Sequence, residues 1–218
     1  MSIVERIAGS ISKRSRTKNW LQFIEWAKTA PETTILDIGV NTTEYSDNDN
    51  FLVRLYPYPD RITAVGLETN WQEFHERYPK VQTATADGTA LPFPDNSFDI
   101  AYANAVIEHV GRCDKQRLFL QEMLRVARRG YCTTPNRHFP IEVHTRIPLL
   151  HLLLPKTLFD ALLRKIGKGW AAGEYMYLLS ETELRSLLHQ AGITQYTLQK
   201  NRFLGLPMTF TLYWEKGL

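Results

Sequence analysis

Two carboxylates sit where apolar runs of this chain break into loops. Asp37 lies in Thr33-Thr-Ile-Leu-Asp-Ile-Gly39, and Glu68 ends Ile62-Thr-Ala-Val-Gly-Leu-Glu68. A carboxylate at the carboxyl end of a buried parallel strand can accept hydrogen bonds from both hydroxyls of a ribose. Gly39, lacking a Cβ, lets the backbone approach a ligand. Asp87-Gly88 and Asn104 follow the next two apolar runs. Asp87 either accepts from an exocyclic amine or caps a turn with Gly88, and Asn104 either enters a ligand site or caps the next helix. Taken together, these positions read as a nucleotide-type site at one edge of a sheet. Histidines add proton chemistry near neutral pH: His109 beside Glu108, and His138 and His144 around Glu142. The spacing of His138, Glu142 and His144 is not a helical pair and prolines interrupt it, so no metal site is expected there.

The elements that must position these residues alternate in type. Apolar runs predict strands over 33–38, 62–68, 81–86, 98–103 and 131–134, with helices over 48–56, 71–78 and 115–126 between them. That alternation implies a parallel sheet with helices on both faces, a Rossmann-like doubly wound α/β fold. Ser180-Glu-Thr-Glu183 is a capping box that opens a helix ending at Gly192. The last runs, 195–200 and 209–215, are too close to enclose a crossover helix and should form an antiparallel hairpin, making seven strands. In the polar loop 41–50, Asp47 or Asp49 reads as a helix cap, since Leu52 stands where a calcium loop needs glycine.

The strand pattern and its motifs resemble the class I, seven-stranded S-adenosylmethionine-dependent methyltransferases, of the methyltransferase type 11 kind. Leu36-Asp-Ile-Gly39 is similar to that family's first motif, Val65-Gly-Leu-Glu68 to its ribose-binding segment, and Ala86-Asp-Gly88 to its adenine loop. Ala90-Leu-Pro-Phe-Pro-Asp-Asn-Ser-Phe-Asp-Ile100 followed by Asn104-Ala-Val-Ile-Glu-His-Val110 resembles its stretch through the fourth strand. The resemblance implies S-adenosylmethionine as cofactor and S-adenosylhomocysteine as product. It implies cofactor contacts at Asp37, Gly39, Val40, Asn41, Glu68, Thr69, Asp87, Gly88 and Asn104, with His109, His138 and His144 as candidate bases. It departs from the family after Gly39, where Val40, Asn41, Thr42 and Thr43 replace further glycines. Asn can adopt a left-handed backbone in place of one glycine, whereas Thr43 is β-branched and cannot. The departure leaves a second reading: a degenerate methyltransferase fold serving as a partner-binding subunit.

With 218 residues, 44% of them apolar, and a net charge of +3, the chain suits one domain without nucleic-acid affinity. Cys113 and Cys132 lack metal spacing, which fits free thiols in a cytoplasmic protein. No run approaches the ~20 apolar residues of a membrane span. Residues 1–30 read as a helical lead-in. Ile3, Ile7 and Ile11 share one helical face, Lys13-Arg-Ser-Arg-Thr-Lys18 forms a solvated basic loop, and Trp20, Phe23, Ile24 and Ala27 pack on the sheet edge. The methyltransferase domain then occupies 31–218. Within it, 145–178 reads as a helical cover over the acceptor site, with Trp170 and Tyr175-Met-Tyr177 either lining or packing that pocket. An amphipathic helix there either packs on the body or meets a lipid surface. The acceptor is therefore expected to be small or lipid-like, with His138, Glu142 and His144 as a polar wall beside it.

Overall fold

The computed structural model describes residues 3–45, 49–173 and 176–217, with residues 3–13 described by backbone alone. Asp47, Tyr175 and the side chains of Ile3, Ile7, Ile11 and Lys13, all invoked above, lie outside the described residues.

Seven strands form one sheet in the order β3-β2-β1-β4-β5-β7-β6. They are β1 (Ile35–Ile38), β2 (Ile62–Gly66), β3 (Gln82–Thr85), β4 (Phe98–Asn104), β5 (Ala127–Pro135), β6 (Thr197–Phe203) and β7 (Leu206–Glu215). The first five pair in parallel, and β7 runs antiparallel to both β5 and β6. Strand order reverses between β1 and β4, and this switch point opens a crevice beyond their carboxyl ends.

Alternation along the strands sorts the core into two layers. Leu36, Ile38, Ala101 and Ala103 face α4 (Cys113–Val126) and α7 (Glu181–Gln190), packing on Phe119, Leu120, Leu184 and Leu188. Ile35, Ile62, Ile100, Tyr102 and Tyr131 face the other way, against α1 (Ile3–Ala27), α2 (Phe51–Leu55) and α3 (Gln72–Arg77). Ser180 caps α7 as its sequence requires: its Oγ accepts from Glu183 N–H at 3.3 Å, and Glu183 Oε2 accepts from Ser180 N–H at 2.8 Å.

Four expectations change. The basic run is not a loop, because α1 continues through it, and the helix lies on the sheet face rather than its edge. Phe23 meets Tyr102 and Tyr131 edge-on at 4.9 and 5.1 Å. Strand β5 begins at Ala127, directly after α4 and well before 131. The pattern hid this because Arg129 looks like a solvated residue, whereas its guanidinium donates to Ala27 O at 2.9 Å and lies over Trp26. Helix α2 starts at Phe51 rather than 48, behind Asn50. Finally, α5 (Leu150–Leu153) and α6 (Lys156–Lys165) pack with Ile147, Ala171, Ala172 and Met176 into a small core of their own, while Trp170 is exposed. Among the described residues no helix is long and apolar enough to cross a membrane. Cys113 and Cys132 are both free, the first exposed and the second buried.

Candidate functional site

Gly39 turns the chain at the end of β1 with φ +87°, and the N–H groups of Gly39 and Val40 both donate to Val65 O, at 2.8 and 3.0 Å. A Cβ on Gly39 would lie 2.4 Å from Val106 Cγ2, and one on Gly88 would lie 2.8 Å from the Phe119 ring. Both glycines line the crevice, and Val106 and Phe119, whose side chains fill the space a Cβ would need, line it with them.

The loop after Gly39 is held by side chains where glycines would otherwise let it fold on itself. Asn50 takes the left-handed conformation (φ +48°), a role that falls to it rather than to Asn41. Its side chain brackets Asn41 from both sides. Thr42 donates to Glu68 Oε2, and Thr43 donates to Glu73 Oε2 at 3.0 Å. Glu44, nearly buried, gathers Arg54 at 2.8 Å, Tyr78 at 2.6 Å and Arg77. Burial works against the Glu44 charge, but these donors outweigh it and hold the carboxyl below its ordinary pKa. Asp49 accepts from Tyr45 N–H at 2.8 Å, and the N-cap position of α2 belongs to Asn50.

A cavity of about 930 Å³ lies in this crevice, near the upper end of the ~300–1,000 Å³ usual for ligand pockets. Asp37, Gly39, Val40 and Asn41 line it from β1, and Glu68, Asp87, Gly88 and Asn104 from the neighbouring strands. Thr69 is exposed and outside it. Asp87 Oδ1 accepts from Thr89 N–H and Oγ1 at 2.9 and 2.8 Å, so it does cap its turn while facing the cavity. Asn104 does not cap the next helix, since its Oδ1 accepts from Thr133 Oγ1 at 2.5 Å. Asp37 is the electrostatic oddity. Paired in register with Tyr102 on the α1 side of the sheet, it is buried, and burial pushes its carboxyl up to about 8.

A second cavity of about 390 Å³ adjoins the first, and Arg16, Asn104, Ala105 and His144 line both. Ala105 holds φ +59° at this junction, a conformation a non-glycine residue rarely takes. Beyond it the second cavity is walled by Phe139, Ile141, Val143, Phe203 and Met208, with Arg146 among them. The loop after β5 and the β6–β7 hairpin supply this wall, whereas no residue of α5 or α6 lines either cavity.

The three histidines separate. His138 is exposed and lines neither cavity, its N–H donating to Asn136 Oδ1 at 3.0 Å. His109 lines the larger cavity and His144 lines both, their rings edge-to-face at 4.9 Å. His144 Nδ1 lies 2.9 Å from Glu142 Oε1, which also accepts from His144 N–H at 3.0 Å. Glu142 is buried, yet the His144 and Thr145 donors overcome desolvation and bring its carboxyl down to about 2. Burial also opposes charge on His144, but the Glu142 hydrogen bond and the Glu108 field prevail and raise its pKa.

Arg16 and the hairpin residues Phe203 and Met208 are not among the candidates named from sequence. For Arg16 a signal exists: Arg16, Asn19 and Phe23 fall at i, i+3 and i+7, so a continuous helix turns Arg16 to the face that Phe23 buries. Nothing in the local pattern marks Phe203 or Met208, which reach the site only through the hairpin's antiparallel pairing beside β5.

Residues 36–132 match the family model for the methyltransferase domain. An uncharacterized methyltransferase of Mycolicibacterium gilvum is 42% identical over 71 residues, spanning 30% of this chain and 27% of that relative. Among solved structures, an S-adenosylmethionine-dependent methyltransferase from Methanosarcina mazei superposes with a TM-score of 0.60 at 18% identity, covering 88% of this chain and 96% of the other. Magnesium protoporphyrin IX methyltransferase from Synechocystis PCC 6803, with bound S-adenosylhomocysteine, gives 0.56 at 15% identity, covering 98% and 87%.

Proposed function

We propose that this chain, which has the class I fold and whose residues 36–132 match the methyltransferase-domain model, transfers a methyl group from S-adenosylmethionine to a small, lipid-like acceptor with an anionic end. The observation that carries this reading is the pair of cavities meeting at Asn104, Ala105 and His144. One is polar-edged and nucleotide-sized. The other is apolar-walled and holds Arg146, with Arg16 at the junction.

The residues of the larger cavity fit the cofactor. Glu68 presents a carboxylate to ribose hydroxyls, Asp87 faces the end beyond β3, and Asn104 with the Ala105 backbone stands at the opening into the second cavity. The cofactor when bound supplies a methyl group already activated on a sulfonium. The chain's own work is alignment and exclusion of water. An acceptor entering from the second cavity would meet that methyl group at the opening beside Asn104 and Ala105, and His144 is the side chain there that would take up an acceptor proton. His144 is the histidine that lines both cavities, and because Glu142 occupies its Nδ1, Nε2 is the atom it offers. The side-chain ties around loop 41–50 support a binding loop adapted to its own path, and so favour catalysis over a partner-binding relic.

Leu149, Leu152, Leu153, Leu158 and Trp170 are exposed apolar side chains on the 145–178 segment, which also carries Lys156, Arg164 and Lys168. They support a lipid-like acceptor by offering a surface that can rest on an interface. The test is calorimetry with S-adenosylmethionine and S-adenosylhomocysteine, followed by transfer of labelled methyl to apolar carboxylates and to their neutral analogues. Micromolar cofactor binding, about 8 kcal/mol, with labelling of the acids alone is expected. No cofactor binding defeats the enzyme reading, and equal labelling of neutral analogues defeats the anionic acceptor.

A further inference from the structure

The histidines and carboxylate that lie closest in sequence do not converge, since His138 is outside both cavities and Glu142 is committed to His144 Nδ1 and to backbone N–H groups. Another trio does. The ligand atoms of Glu108, His109 and His144 all lie within 4.8 Å of one another.

Glu108 is 0% exposed. Its Oε2 accepts from Thr134 Oγ1 at 3.0 Å, while its buried Oε1 has no hydrogen-bond partner among the described residues and lies 3.7 Å from His144 Nε2. A buried carboxylate oxygen without a partner is costly, and a direct charged hydrogen bond would close to about 2.8 Å. Two atoms each ~2.1 Å from a zinc ion are separated by ~3.4 Å across a tetrahedral angle, close to the gap observed. The outer contacts complete the pattern of a metal site. Glu142 on Nδ1 fixes the His144 ring so that Nε2 is presented, and Thr134 fixes Glu108 so that Oε1 is presented.

We propose that Glu108, His109 and His144 bind a divalent first-row transition ion, zinc or manganese in type, at the junction of the two cavities. Two imidazoles and one carboxylate suit such an ion and leave coordination positions open. Both histidines line the larger cavity and His144 also lines the smaller, so an open position faces the place where an acceptor meets the cofactor. With His144 Nε2 on the ion, the ion takes over that histidine's work: it holds an acceptor oxygen, favours its deprotonated form and lets the proton pass to solvent. This role rests on the methyltransferase reading above, whereas the existence of the site does not.

The experiment strips the full chain with chelator, titrates it with Zn²⁺ by calorimetry and with Co²⁺ by visible absorption, and measures S-adenosylhomocysteine binding on the same samples. One ion per chain is expected, with four- or five-coordinate cobalt bands. Glu108→Gln and His109→Gln should each weaken the ion at least 30-fold. Glu108 does not line the larger cavity, so Glu108→Gln should leave S-adenosylhomocysteine affinity within threefold, which also shows that the variant is folded. Cys113→Ser, removing the exposed thiol, should leave ion binding unchanged. Absence of binding overturns the site, as does binding that survives Glu108→Gln and His109→Gln or vanishes with Cys113→Ser. Failure to bind S-adenosylhomocysteine with the ion still bound defeats the methyltransferase reading and leaves the metal site standing.

Discussion

Asn50 grips Asn41 from both directions: its Oδ1 accepts from the Asn41 N–H at 3.0 Å, and its Nδ2 donates to the Asn41 carbonyl at 2.8 Å. One side chain thereby closes the loop that follows Gly39, and it does so from a left-handed backbone that Asn tolerates and most residues do not.

Replacing Asn50 separates these two contributions. Asn50→Gly keeps the backbone conformation and removes both hydrogen bonds, so it should weaken S-adenosylhomocysteine binding about 5- to 30-fold while shifting stability by about 1 kcal/mol. Asn50→Ala adds the left-handed penalty of roughly 1–2 kcal/mol and should melt earlier than the glycine variant. Placing glycine at Asn41 and Thr43, to imitate a glycine-rich loop, should weaken binding too, because it frees a segment now tied by Thr43 to Glu73 and by Asn50 to Asn41. Calorimetry on the three variants checks the order, and a gain of affinity in the double glycine variant would mean that the loop is degenerate.

Glu68 is the ribose acid of the proposed site, and Thr42 is the side chain that aims it. Glu68→Ala should cost about 1.5–3 kcal/mol of cofactor binding, roughly 10- to 150-fold, as expected for lost hydrogen bonds to a charged group. Thr42→Val keeps the carboxylate and loses only its orientation, so the loss should be smaller, within about tenfold. Thr69→Ala serves as the comparison, since Thr69 is exposed and outside the cavity. A Thr69 effect as large as that of Glu68 would relocate the ribose.

Much of this was legible in the chain because parallel strands buried on both faces write themselves as short apolar runs, and β1, β2 and β4 each end in the residue that faces the crevice or next to it. Glu68, Asp87 and Asn104 could be placed from strand ends alone. The second cavity could not. Its wall comes from a loop after β5, a hairpin nearly 70 residues further on, and a turn of α1 near the start, and no local periodicity links Arg16, Phe139 and Met208. The basic run misled for a related reason: charged residues on a long helix look like loop composition until the apolar residues that follow fix the helix phase. Glu108 beside His109 could be seen in sequence. That Glu108 turns inward to His144 could not, because the loop carrying His144 is distant along the chain and takes its path from the backbone bonds of Glu142 N–H to Ile147 O and Arg146 N–H to Glu142 O.

Asp37 gives the protein a predictable pH dependence. Its carboxyl, near 3.8 in the unfolded chain, is raised to about 8 by burial, beside Tyr102. Between those values the folded chain keeps a proton that the unfolded chain releases. Stability is therefore greatest at low pH with respect to this group and falls as pH rises from about 4 to about 8. Asp37→Asn removes that slope and should be more stable than the parent at pH 7 by on the order of 1–3 kcal/mol. Thermal melts of the two proteins from pH 4.5 to 8 should diverge as pH rises, and parallel curves would show that Asp37 is solvated or paired in the folded state.

Arg146 offers the most selective probe of the acceptor, because it lines the smaller cavity and not the larger one. If the acceptor carries an anionic end, Arg146→Ala removes a charged partner at the exposed rim of a largely apolar cavity. It should raise KM for an apolar carboxylate about tenfold or more, with S-adenosylhomocysteine affinity unchanged. Met208→Trp fills the same cavity without touching charge, so it should raise KM for long acceptors more than for short ones. Arg16 is the contrasting case. It lines both cavities from α1, so Arg16→Ala should weaken acceptor and cofactor together. A variant set in which Arg146→Ala changes cofactor affinity as much as Arg16→Ala would show that the two cavities are one continuous cofactor site, and would move the acceptor elsewhere on the sheet edge.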